Sequence, residues 1–136
     1  MTESHEVEWQ RLWFTLQTRG WTSLAVVGID DAKLAVDVAN RIAEVGSVGK
    51  KSPIRVISAL GVAMPDIDAV VSRLAEPVQT IVACDSPRAN PAMLPIVHAT
   101  SGVVLVVRLG HTSLEAVRRT VDGVGRDHVV ATVSIG

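Results

Sequence analysis

The chain has 136 residues, which suits one domain, and its 48% hydrophobic and 20% charged residues are a globular balance. Lys and Arg total 13 against 14 Asp and Glu, a formal net charge of -1, so no basic excess points to nucleic acid or to an anionic membrane. No apolar run approaches the ~20 residues of a membrane helix, the polar, acidic first residues are unlike a signal peptide, and Cys84 has no second cysteine to bridge, so the expectation is a cytoplasmic protein without membrane insertion.

In chain order, residues 6–19 read as a helix. Trp9, Leu12, Trp13 and Leu16 fall at i, i+3, i+4 and i+7 and form one apolar stripe, with Phe14 off it. Ser4 is the expected cap, Glu6 and Glu8 suit the positive end of the dipole, and Gly20 is the expected stop. Residues 24–29 are continuously apolar, as in a central parallel strand. A helix follows with Leu34, Val38, Ile42 and Val45 inward, Lys33, Asp37, Asn40 and Glu44 outward, and Gly46 as its stop. Residues 54–59 predict a second strand and 66–74 a helix burying Ile67, Val70, Val71 and Leu74. Residues 80–84 predict a third strand. Asn90-Pro91 then reads as an N-cap followed by proline at the first helical position, with Pro95 shortening or bending the helix. A fourth strand at 103–107 precedes Thr112-Ser113-Leu114-Glu115, a capping box opening a helix with Leu114, Val117 and Val121 inward; 128–133 is the fifth strand.

Strands alternating with helices predict an α/β fold: a parallel five-stranded sheet with right-handed crossovers and helices on both faces, over residues 21–136. The N-terminal amphipathic helix, within residues 1–20, packs on or beside it. Ligands of such sheets bind outside the carboxyl ends of the strands, which here carry Gly28 to Asp31, Ser58 to Gly61, Asp85 to Arg88 and Arg108 to Thr112.

The run Ser101-Gly102-Val103-Val104-Leu105-Val106-Val107-Arg108 and the strand end Ile81-Val82-Ala83-Cys84-Asp85-Ser86-Pro87 resemble the MinD/ParA branch of P-loop ATPases. The layout is most similar to the cytoplasmic domains of bacterial tyrosine kinases of exopolysaccharide export, whose leading helix carries E-x-x-R-x-x-R and mediates subunit contacts. Here that helix offers Glu8-Trp9-Gln10-Arg11, with Phe14 where the last arginine would fall. The resemblance runs from about Glu8 to Ser134 and rests on the order and spacing of its parts.

Departures from the family bear on function. A phosphate loop needs glycines so that backbone N–H groups reach phosphate oxygens, with a Lys and a Ser/Thr for phosphate and Mg²⁺. The loop here is Gly28-Ile29-Asp30-Asp31-Ala32-Lys33, which supplies the lysine alone. The family's second acidic motif, near Ser58 and Leu60, holds no acid; Asp85 stands where the family directs an aspartate toward Mg²⁺; and the chain contains no tyrosine to accept phosphate. Asp30, Asp31, Lys33 and Asp85 are therefore expected to rim a vestigial site, with Asp30 or Asp31 capping the following helix in place of a phosphate. No catalytic residue, nucleotide, metal or other cofactor is expected.

Two alternatives use the same acids. In one, Asp30, Asp31 and Asp85 hold a cation and support weak Mg²⁺-dependent nucleotide binding. In the other, they form a receiver-like phosphoacceptor, although the lysine that receivers carry after strand five is missing. Gly46-Ser47-Val48-Gly49-Lys50-Lys51-Ser52 looks like a phosphate loop but follows a helix and precedes a strand, the reverse of the required context. Cys84 reads as a packed small residue, and His5, His98, His111 and His128 lack zinc-ligand spacing.

The expected function is that of a pseudo-ATPase or pseudokinase domain that binds a protein. The contact residues expected on the first helix are Glu8, Trp9, Arg11, Trp13 and Phe14. Candidate partners implied by the resemblance are a homologous ATPase, the cytoplasmic tail of a membrane protein, or a second copy of the chain, in bacterial surface-polysaccharide assembly or spatial positioning.

Overall fold

The computed structural model describes residues 2–48 and 53–136 and, of the side chains, those from residue 8 onward. Helix α1 (Thr2–Gln17) leads into β1 (Ser23–Gly28), α2 (Ala32–Ser47), β2 (Arg55–Ser58), α3 (Ile67–Leu74), β3 (Thr80–Asp85), α4 (Met93–His98), β4 (Gly102–Arg108), α5 (Leu114–Val124) and β5 (Val129–Ile135). All the strand pairings are parallel, in the order β2-β3-β1-β4-β5. The expected α/β fold with one parallel five-stranded sheet is thus the observed one. A receiver's sheet runs 2-1-3-4-5, an order this sheet does not share.

The three inner strands are buried nearly end to end. That explains their unbroken apolar sequences, since both faces are covered by helices. Two cores result. On one face α3, α4 and α5 contribute Ile67, Leu74, Met93, Ile96 and Val124 against Val27, Val82 and Leu105. On the other, α1 and α2 contribute Trp13, Leu16, Val38 and Ile42 against Leu24, Val26, Ile81 and Val104. The α2 crossover returns over β3 to reach β2, whereas the later helices lie on the opposite face. The chain ends of β1 and β3 therefore leave the sheet in opposite directions, and the switch point of the sheet lies between them.

Several local expectations are corrected. Helix α1 begins at Thr2, so Ser4 lies inside it rather than capping it. The α2 helix runs through Gly46 to Ser47: a Cβ there would overlap the Trp13 ring and Ile54 Cδ1, so the glycine admits the tryptophan instead of ending the helix. The cap of α5 is Ser113, whose hydroxyl accepts from Ala116 N at 3.1 Å, while Thr112 Oγ1 accepts from Arg108 N at 2.9 Å. Leu114 lies outward at 87% exposure, whereas Val117 and Val121 pack against the core as expected, beside the buried Ala116, Thr120 and Val124. At α4, Asn90 Oδ1 accepts from Ala92 N in a turn before the helix, which starts only at Met93 and includes Pro95. Gly20, with φ +61, follows α1 as expected.

Candidate functional site

Gly28 and Asp85 are register partners at the carboxyl ends of β1 and β3. Only Ile29, Asp30 and Asp31 separate β1 from α2. The chain doubles back so closely that a Cβ on Gly28 would overlap the Asp31 carbonyl oxygen, which explains glycine at the first position of this turn. Ile29 is buried at 6% exposure, and its N–H donates to Val106 O at 3.3 Å. The position where a phosphate loop would present bare backbone thus holds a buried apolar residue whose backbone N–H is bonded to β4.

Asp31 is the N-cap of α2, with extended φ -139 and ψ 101. Its Oδ1 accepts from Lys33 N at 3.0 Å, and its Oδ2 lies 3.4 Å from Arg108 Nη1 at the end of β4. The carboxylate takes both the helix amide and the cation that an anionic ligand would use. Asp30 and Lys33 are exposed beside it. A phosphate charge placed about 4 Å from the Asp31 carboxylate would be disfavoured by roughly 4 kcal/mol at an effective dielectric near 20.

Asp85 is engaged differently. Its Oδ2 accepts from Gly61 N at 2.7 Å and from Asn90 Nδ2 at 3.5 Å, and the same Asn90 amide donates to Val62 O at 3.2 Å. Gly61 has φ +69, a backbone conformation that side chains rarely adopt. Asp85 therefore ties the loop after β2 to the end of β3. The acids do not converge: among the described residues, no group of three or more His, Cys, Asp or Glu side chains is placed to hold a metal ion. The cation site of Asp30, Asp31 and Asp85 considered from the sequence is not assembled.

Cys84 is fully buried next to Asp85. Burial, with a smaller contribution from the Asp85 charge, pushes its thiol from 9.0 up to about 12, so it is a packed side chain without thiolate character. The His98 and His128 rings lie tilted with centroids 6.3 Å apart, and His128 Nε2 lies 2.9 Å from Val97 O, so both are placed by structural contacts. Of the glycine-rich segment at 46–52, residues 49–52 lie outside the described residues; 46 and 47 close α2.

The residues expected to make contacts on α1 divide. Glu8 and Arg11 are exposed, Trp9 is half-buried, and Phe14 is 67% exposed. Trp13 belongs to the core: it is 8% exposed and meets Trp21 edge-on at 5.9 Å. Its place in the stripe with Leu16 turns it inward, so it is withdrawn from the contact set. Beside this helix lies a cleft of about 570 Å³ lined by Glu8, Trp9 and Leu12 on one side and Thr132 to Gly136 on the other. Sequence reasoning missed the β5 wall of that cleft. The available signal was the uncharged, β-branched run Val129-Val130-Ala131-Thr132-Val133-Ser134-Ile135.

No helix among the described residues is long and apolar enough to cross a membrane. No protein-family model, curated protein or solved structure matches this chain.

Proposed function

We propose that this chain is a non-catalytic protein-interaction domain: a pseudo-ATPase or pseudokinase that keeps the strand–loop–helix layout of a P-loop ATPase around a closed phosphate position. The observation that carries the reading is the Asp31 carboxylate seated on the N-terminus of α2 and paired with Arg108. Ile29 filling the same turn supports it, as does the use of Asp85 to hold the loop at Gly61. The interaction surface is the exposed part of α1, with Glu8, Arg11 and Phe14, and the half-buried Trp9 at its margin. The sequence resemblance suggests a setting in bacterial surface-polysaccharide assembly or spatial positioning, with a homologous ATPase, a membrane-protein tail or a second copy of the chain as partner.

Titration calorimetry with ATP and Mg²⁺ tests the non-catalytic part of this reading. No binding heat is the expected result, and micromolar affinity would overturn it. Phe14→Ser tests the surface, because a side chain this exposed leaves the fold intact when replaced. Assembly or partner capture should weaken; binding indistinguishable from the parent chain would remove α1 from the interface.

A further inference from the structure

The two edges of the sheet are treated differently. β2 is a short edge of four residues, and its Arg55 side chain reaches Thr80 Oγ1, the Arg73 carbonyl and Glu76. A very short strand that carries a charged residue is a protected edge. β5 is seven residues long and has no charged residue or proline. Its register shifts against β4 between Val103 and Val104, but the half from Ala131 to Ile135 pairs without interruption. An uncharged, β-branched edge of that length is a template for another strand, and natural proteins seldom leave one open.

The pairing groups on this edge follow from parity. Ile135 O accepts from Leu109 N at 2.8 Å, so the backbone N–H and C=O of Ile135, and of Val133 two residues earlier, face β4. Those of Thr132 and Ser134 face outward. If a second β5 lies antiparallel with Val133 opposite Val133, Thr132 of each chain falls opposite Ser134 of the other. Each such pair exchanges two backbone hydrogen bonds, so the four outward groups of one strand are all satisfied by the same four of the other. The edge is complementary to itself in this register, as a two-fold interface must be.

We propose that the chain forms a two-fold dimer by antiparallel β5–β5 pairing, which joins the two sheets into one and closes the cleft between α1 and β5. This names a partner for the side of α1 that carries Glu8, Trp9 and Leu12, and rests on the interaction-domain reading above. A two-fold axis normal to the sheet keeps α1 of both copies on one face, so Trp9 and Leu12 of each flank the central Val133 pair. The α1 contribution is required by size: a stable interface draws about 20–30 residues from each side, and a seven-residue strand supplies too few. Charge permits a second copy as occupant: Glu8 and Arg11 are exposed one turn apart on α1, so each copy offers both an acid and a base beside the cleft.

The test uses Thr132→Lys/Ser134→Lys and Thr132→Glu/Ser134→Glu double variants of the full chain, because both side chains are exposed and leave the core untouched. Sedimentation should give the parent chain twice its 14.4 kDa mass and each double variant the mass of one chain. Mixing the two variants should restore the double mass, since opposite charges then face each other across the axis. A monomeric parent chain, a larger assembly, or a lysine variant that stays dimeric overturns the proposal. Hydrogen exchange on the parent chain tests it without substitution. Thr132 and Ser134 amides should be slow in the dimer and fast on dilution to single chains; fast exchange in the dimer refutes β5 pairing. Nucleotide calorimetry is independent of all these outcomes, so a failed dimer leaves the closed phosphate position standing, and the reverse also holds.

Discussion

Replacing Asp31 separates a helix cap from a vacant ligand position. In the parent chain its carboxylate satisfies Lys33 N at 3.0 Å and meets Arg108 at 3.4 Å. Loss of an aspartate cap costs about 1 kcal/mol. The pair with Arg108 is partly exposed on both sides, at 47% and 31%, and solvent screening reduces it to roughly 0.3 kcal/mol. A chain of 136 residues unfolds with an entropy near 0.3 kcal/mol/K, so Asp31→Ala should lower the melting temperature by about 4–5 °C. Asp31→Ser keeps a capping oxygen and gives up only the pair; its loss should be about 1 °C. Arg108→Ala should match the serine variant. Thermal unfolding by circular dichroism, with urea midpoints as a second measure, reads all three. An alanine variant as stable as the parent chain, or a serine variant as damaged as the alanine one, would refute self-capping.

Two further expectations follow from the cores. Gly46→Ala should destabilise by about 1–2 kcal/mol in urea unfolding, although alanine is the better helix former, because overlap with Trp13 and Ile54 outweighs the gain in propensity; a stabilised variant would contradict the packing. For Cys84, the folded thiol ionises near 12 and the unfolded one near 9.0, so its contribution to stability is complete below 9.0 and is lost as pH rises toward 12. The parent chain should therefore lose stability relative to Cys84→Ala by up to about 1.4 kcal/mol per pH unit through that window. The native thiol should also resist alkylation at pH 8 until the chain unfolds; a native-state reaction at the rate of a free thiol would count against its burial.

What could be read from the sequence was whatever repeats locally. The apolar runs of β1, β3 and β4 marked central strands because burial on both faces leaves no room for alternation. An aspartate immediately before Ala32-Lys33-Leu34 marked a cap because the cap bond spans only two residues. What could not be read depends on distant partners. Arg108 reaches Asp31 across 77 positions of sequence, and Asp85 reaches Gly61 across 24. Gly46 looked like a stop because nothing nearby in sequence shows the Trp13 ring lying over it. Trp13 and Phe14 are adjacent aromatic residues with opposite fates, decided by which one shares a face with Leu16. At α5 two consecutive hydroxyl residues offered alternative caps; Arg108 N occupies Thr112, leaving Ser113 to cap the helix with Leu114 as its first, exposed residue.

These long-range bonds determine where a ligand or partner can be accommodated. At the carboxyl ends of β1 and β3, two of the acids are already committed to a backbone amide, Asp31 to Lys33 and Asp85 to Gly61. Admitting a phosphate there means leaving those amides to the newcomer, separating Asp31 from Arg108 and moving the buried Ile29, with a carboxylate still facing the incoming charge. The lateral side of the sheet imposes none of these costs. Thr132 and Ser134 direct their backbone groups away from β4, and the half-buried Trp9 and Leu12 line the same cleft. Covering that side with a strand exchanges bonds to water for bonds within a sheet and removes apolar surface from solvent, which is favourable on both counts. The proposed association at the α1–β5 edge would therefore break fewer native bonds than binding at the strand ends, where sheets of this class ordinarily hold their ligands.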